Sequence, residues 1–370
     1  MPETEKPEQE RPASPWAFQV AVVAGIPVRL HITFLLFLVW IGWTGQSQSG
    51  WQWPIYVLAV FFCVVLHEFG HALTAKKYGI KTTNITLYPI GGVAMLESRP
   101  TAKQELWVTI MGPAVNVVIA GLLFLYMWIS PQQFQLTSDI RVGGILPALF
   151  FTNISLALFN LIPAFPMDGG RILRAALSLK MGELRATRIA AGVGQVVAIG
   201  LGVAGIITSQ VILMLIAFFV FLVAGQELTS TVTRSLLAGR KVRDAMMRNF
   251  ATLPHGTTLQ EASELLIAGS QTDFPVTSGS DVLGILERSE LSIGLTEDGP
   301  HAYVAGRMNR NANRCRPDDD LEWAAEQFAA AGRRPVLVME GDDLVGMLTQ
   351  ENLSEFIMLQ DAASRRKKPG

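Results

Sequence analysis

Residues 53–77 read WPIYVLAVFFCVVLHEFGHALTAKK, an apolar run that closes on two lysines and carries His67, Glu68 and His71 in its second half. From Leu30 to Thr74 the sole Asp, Glu, Lys or Arg is Glu68. A lone carboxylate in a segment built for hydrocarbon is expensive and marks function. A spacing of four stacks His67 and His71 on one face of a helix, where both imidazoles can reach one ion. Glu68, one position round from the first imidazole, is placed to hold a water rather than the ion. Zinc takes such nitrogen and oxygen donors, and a catalytic site leaves one position open for water. The competing reading is polar glue between helices, which leaves three costly groups in lipid without an ion.

Working outward, Leu106–Ser138, Val142–Met167 and Ile189–Gln226 are also free of formal charge. Each of the first two can cross about 30 Å of hydrocarbon with about 20 helical residues, and the third is long enough for a hairpin turning at Thr208-Ser209-Gln210. Charge and hydropathy predict six membrane helices, near 31–46, 54–77, 105–129, 143–161, 187–207 and 210–229. Cations gather after the second, fourth and sixth: Lys76, Lys77, Lys81, Arg99 and Lys103, then Arg171, Arg174, Lys180, Arg185 and Arg188, then Arg234, Arg240 and Lys241. The other side holds Arg141. The positive-inside rule then puts both termini in the cytoplasm of a multi-pass protein, most simply in a cell (inner) membrane.

Composition agrees. Charged residues make up 16% of the 370, against about 25% in ordinary soluble domains. A net charge of -1 gives no basic field for nucleic acid, and Cys63 and Cys315 cannot make a disulfide framework. Residues 1–16 are polar, acidic and proline-rich and read as a disordered tail, not a signal peptide. The membrane domain covers 17–235.

After Gly239 the composition turns soluble and repeats itself. Val242, Leu259, Gly284 and Leu291 recur as Val304, Leu321, Gly346 and Leu353, each 62 positions on. Each unit reads as a short strand, an amphipathic helix (259–268, 321–331), two strands (274–277 and 282–286 in the first) and a second helix near Ser289 or Gln350. This repeat resembles the cystathionine-β-synthase (CBS) domain pair, over about 242–293 and 304–358 within a domain 236–360. A basic tail, 361–370, follows. The resemblance implies a soluble α/β module able to sense an adenine nucleotide and to pair as a homodimer. In that family Thr or Ser, then Asp three residues on, holds the ribose. Here those positions carry Glu287 and Glu290, then Thr349 and Asn352, so a structural or partner-docking role competes with nucleotide binding.

Two histidines need a third ligand near membrane depth. Asp168 stands out in Asn160-Leu-Ile-Pro163-Ala-Phe-Pro166-Met-Asp168-Gly169-Gly170, where prolines unwind the helix and glycines permit close backbone approach. A helix-capping Asp is its plainer reading. Together, HExxH and Asn160, Pro163, Asp168 and Gly169 resemble the site-2 protease family of intramembrane zinc metalloproteases. Pro89-Ile90-Gly91-Gly92-Val93 and Gly112-Pro113-Ala114-Val115-Asn116 are similar to further family features, a short re-entrant β segment and a helix-packing motif in the third span. The resemblance implies zinc on His67, His71 and Asp168, with Glu68 as general base. It also implies Asn160 against the substrate backbone or oxyanion, and Gly91 and Gly92 pairing with an unwound substrate strand. The implied substrate is a membrane protein with a transmembrane segment in the lipid bilayer. The fold class expected is a polytopic α-helical membrane domain followed by a tandem CBS module. A CBS-regulated channel or transporter of divalent ions is the alternative, with an inactive zinc-binding relative behind it. His31 reads as interfacial, Trp40, Trp43, Trp51 and Trp53 as an aromatic belt, and Cys63 as a bystander one turn before His67.

Overall fold

The computed structural model describes residues 16–366 apart from 51, 90, 132, 133 and 331. The N-terminal tail, Trp51, Ile90 and the last four residues therefore lie outside the described residues. The chain forms two compact units, divided between Thr231 and Val232.

The first unit opens with a hairpin, β1 (Ala17–Val23) and β2 (Ile26–His31), turned at Ala24 and Gly25 with φ of 54° and 83°. Helices α1 (Ile32–Ser49) and α2 (Gln52–Lys77) follow, then β3 (Thr82–Tyr88) and β4 (Gly91–Leu96). Next come α3 (Ala102–Ile129), the short α4 (Ile140–Gly143), α5 (Ile145–Asn160), α6 (Asp168–Met181), α7 (Glu183–Ile207) and α8 (Val211–Leu237). Six apolar helices stand where six spans are expected. Four of them, α2, α3, α7 and α8, are long and apolar enough to cross a membrane. The other two are shorter: the apolar part of α1 is Ile32–Ile41, and α5 has 16 residues. At 1.5 Å per residue α5 reaches only about 24 Å. It stops because Pro163 and Pro166 cannot continue the backbone ladder. The α7–α8 hairpin turns at Thr208, Ser209 and Gln210, as the polar break predicts.

Two features depart from the sequence reading. The short β segment is the edge of a four-stranded sheet in the order β1-β2-β3-β4. β2 runs parallel to β3, pairing Val28 with Ile85, and β4 is antiparallel to β3, pairing Gly92 with Leu87. Reading by charge alone passes over β1 and β2. The cations after the fourth span are likewise not a free loop. Arg171, Arg174 and Lys180 lie on α6 and Arg185 and Arg188 on the first turns of α7; α6 is an amphipathic helix whose Arg174 is 7% exposed and ion-paired with Glu105 of α3 and Glu227 of α8. Arg174 thus ties three helices together instead of marking orientation.

The second unit repeats one pattern twice. β5 (Leu253–Pro254), α9 (Leu259–Ala268), β6 (Phe274–Ser278), β7 (Asp281–Leu286) and α10 (Arg288–Glu297) form the first copy. β8 (Arg314–Cys315), α11 (Leu321–Ala330), β9 (Val336–Glu340), β10 (Asp343–Leu348) and α12 (Gln350–Arg366) form the second. Each copy has a three-stranded sheet, with β6 and β9 central. The copies share an apolar core of Ile285, Leu337, Met339 and Met347. Gly284 and Gly346 fall at the repeat offset because the other copy's backbone is too close for a side chain. A Cβ at Gly284 would strike the Asn309 carbonyl oxygen, and one at Gly346 would lie 3.0 Å from the Met247 carbonyl oxygen. Burial, with the Asp319 carboxylate nearby, pushes the Cys315 thiol up to about 12, so it stays neutral and serves as core. Helix α12 runs on to Arg366, into the segment read as a basic tail.

Candidate metal centre

The site is built where α2 meets α3, and small residues make that approach possible. A Cβ at Gly70 of α2 would lie 2.7 Å from the Met111 carbonyl oxygen of α3. Conversely, a Cβ at Gly112 of α3 would collide with Nε2 of His71 and stand 2.7 Å from Nε2 of His67. Both imidazoles are therefore pressed against glycine backbone. Asp168 arrives from the other side as the first residue of α6, not as the close of α5. The helix cap is Met167, so the capping reading of Asp168 is not realised. Gly169 and Gly170 lie so close to the 161–165 backbone that a Cβ on either would overlap it. That packing fixes the turn from which Asp168 projects.

His67, His71 and Asp168 come together as the sequence expects. The two Nε2 atoms are 3.1 Å apart, and Oδ2 of Asp168 is 3.2 Å from each. All three residues are 7% exposed. The Nδ1 atoms point away: His67 Nδ1 is 2.6 Å from Oδ1 of Asn116, and His71 Nδ1 is 2.8 Å from the Val108 carbonyl oxygen. A carbonyl can only accept, so His71 donates from Nδ1 and keeps its Nε2 lone pair for the site. Oδ2 of Asp168 is buried without a hydrogen-bond donor. Lone pairs converging on a dry point repel each other unless a cation stands between them. Donors about 2.0–2.2 Å from a tetrahedral zinc ion are about 3.3–3.5 Å from one another, close to the spacing here. The donor set fits zinc. Among the described residues, these three form the one cluster of His, Cys, Asp and Glu able to hold a metal ion.

The remaining expected residues are placed as follows. Glu68 is half-buried on α2, and Gly92 of β4 lies directly against it, where a Cβ would sit 2.5 Å from Glu68 Cγ and 3.1 Å from Oε1. Gly92 thus seats the carboxylate, and Gly91 adopts φ +140°, a conformation that suits glycine. Asn160 is the last residue of α5, separated from Asp168 by the proline-containing turn. Cys63 is buried beside Nδ2 of Asn153, at 3.5 Å, rather than at the cluster. His31 caps α1, accepting from Thr33 N, with its ring against Tyr88. Sequence reasoning took Asn116 only as the end of a helix-packing motif and missed Asn153; both are fully buried. A bare amide inside a charge-free span is the signal that could have found them.

Comparison with known proteins follows the same division. The peptidase family M50 model matches residues 55–137 and 130–201, and the CBS domain model matches 242–295 and 304–359. A zinc metalloprotease of Methanocaldococcus jannaschii is 37% identical over 342 residues, spanning 91% of this chain and 95% of that protein. The solved site-2 protease from Methanocaldococcus jannaschii is 42% identical, covering 58% of this chain and 95% of its own, with a TM-score of 0.46. A CBS-domain protein from Agrobacterium tumefaciens is 23% identical, covering 31% of this chain and 98% of its own, with a TM-score of 0.30. The chain belongs to peptidase family M50, the site-2 proteases, and carries a CBS domain pair. It is an integral membrane zinc metalloprotease, which favours the protease over the channel or transporter reading.

Proposed function

We propose that His67, His71 and Asp168 hold the zinc ion and that Glu68 is the general base of peptide hydrolysis in a membrane-embedded substrate. The observation that carries this is the convergence of three buried acceptors, with Oδ2 of Asp168 lacking any donor. Zinc, when bound, supplies Lewis acidity and lowers the pKa of a coordinated water toward about 7. Glu68 takes the proton of the attacking water and returns it to the leaving amine nitrogen. Asn160, at the open end of α5, offers its amide to the substrate carbonyl oxygen as charge builds there.

The substrate must be unwound, because an intact helix keeps its carbonyls in internal hydrogen bonds. β4 is one of the two edge strands of its sheet, and Gly92 on it touches Glu68, so an extended peptide added to that edge passes the base. We assign both termini to the cytoplasm of a cell membrane, from the cation-rich connections that remain when Arg174 is set aside. In the CBS unit a cleft of about 800 Å³ lined by Asp273, Glu287, Arg288, Arg333 and Gln350 among others is the ligand or docking site of the module. Calorimetric titration with AMP tests the nucleotide, and native mass the homodimer.

The test of the mechanism is Glu68→Gln with a single-span membrane protein as substrate. Zinc content should match wild type, while turnover falls by about 10²–10⁴-fold. Unchanged cleavage would refute the role of Glu68.

A further inference from the structure

We propose that Asn116 and Asn153 form a two-amide relay that dictates which nitrogen of His67 faces the ion, making both positioning residues for the metal centre. The proposal rests on the zinc reading above. The relay starts at a backbone carbonyl. Nδ2 of Asn153 donates to the Leu149 carbonyl oxygen one turn back on α5, at 2.9 Å. That oxygen cannot donate, so the amide of Asn153 has one allowed orientation, with Oδ1 turned toward α3. Nδ2 of Asn116 donates to this Oδ1 at 2.9 Å. The amide of Asn116 is thereby fixed in turn, and its Oδ1 faces Nδ1 of His67 at 2.6 Å. His67 must carry its proton on Nδ1, which leaves the Nε2 lone pair for the ion.

Both metal-facing imidazoles thus take their tautomer from a backbone carbonyl, His71 directly from Val108 and His67 through two side chains. A flipped Asn116 would set its oxygen against Oδ1 of Asn153. A flipped Asn153 would set its oxygen against the Leu149 carbonyl. Each error places two acceptors face to face where neither faces solvent, since both asparagines are fully buried. Such partners of a metal-bound histidine raise its basicity and hold the ring plane, and losing one typically costs about 10–100-fold in metal affinity. Asn153 touches neither His67 nor the ion, so an effect on zinc from this position is specific to the relay.

The full chain in detergent, stripped of metal, is titrated with zinc alone against a chromophoric chelator, and with cobalt(II) for its visible spectrum. Asn116→Leu removes the acceptor, Asn153→Ala frees the Asn116 amide to turn, and Asn116→Asp with its carboxyl protonated keeps both links, donating to Oδ1 of Asn153 and accepting from Nδ1 of His67. Thr152→Val serves as the packing control: it breaks the 2.6 Å Tyr56–Thr152 hydrogen bond between α2 and α5 outside the relay. Asn116→Leu and Asn153→Ala should bind zinc about 10–100-fold more weakly and alter the cobalt bands, with Asn116→Asp and Thr152→Val close to wild type. Wild-type affinity in monodisperse Asn153→Ala or Asn116→Leu would overturn the relay. So would an equal loss in Thr152→Val, which would assign the effect to packing. Absence of zinc from the wild-type chain itself would instead bring down the zinc reading on which the relay stands.

Discussion

In the membrane unit, Thr109, Asn116, Asn153 and Thr187 are completely buried among apolar helices, together with His67, His71, Glu105, Asp168 and Arg174 at 8% exposure or less. In the CBS unit the corresponding interior is Phe274, Leu253, Leu259, Leu286, Leu321 and Leu348, and Thr349 is its one buried polar side chain among the described residues. The first unit spends its interior on polar groups that each need a particular partner. The second is held by apolar cores of the ordinary soluble kind, with its charges outside. Single-atom geometry therefore matters far more in the first. A methyl group at Gly112 there strikes two imidazoles, whereas in the CBS unit it disturbs packing.

The sharpest way to break this contrast is to add that methyl group. Gly112→Ala should abolish or severely weaken zinc binding, because its Cβ meets both imidazoles, while Gly121→Ala on the same helix meets nothing within 4 Å and should leave zinc unchanged. Equal zinc content in the two variants would contradict the packing argument. Next in size is Arg174→Ala, which strips buried Glu105 of its nearer cation and leaves it Arg171, whose Nε is 3.8 Å away. The loss should be a part of the about 3–5 kcal/mol that a fully stranded partner costs, read as a lower thermal midpoint of the membrane unit. In the CBS unit, Gly284→Leu forces the strand away from the Asn309 backbone. Overpacking of this kind costs about 1–3 kcal/mol and should loosen that module with zinc retained.

The smallest effect belongs to a surface pair. A hydrogen bond from the Arg307 guanidinium holds the Asp298 carboxyl below its ordinary 3.8. A depressed carboxylate stabilises the fold above its unfolded value and loses that contribution as pH falls through the folded one. Asp298→Asn should therefore lower the midpoint slightly at pH 7, by an amount that shrinks as pH falls through the acid range and that added salt should weaken.

Sequence reached different depths in the two units. The 62-residue offset located both CBS copies because repeats carry their own internal control, down to the paired glycines. His67, Glu68, His71 and Asp168 were legible because charge inside an apolar run is costly, so each demanded a reason. Asn160 was singled out by resemblance alone, and it is the last residue of α5. The β1–β2 hairpin was not legible, since its strands are short and their pairing with β3 is decided by tertiary packing. Arg174 misled for a related reason. A cation between two spans looks like a loop charge until the helix that carries it is placed between Glu105 and Glu227. The amides of Asn116 and Asn153 carry no charge and no period, so only their partners show what they do.

The most direct test of the central claim is the metal content of the detergent-purified chain by elemental mass spectrometry, alongside His67→Ala and Asp168→Ala. About one zinc per wild-type chain is expected, lost or strongly weakened in both variants. Zinc that is indifferent to Asp168, or a wild-type chain that takes up none after reconstitution, would contradict that claim.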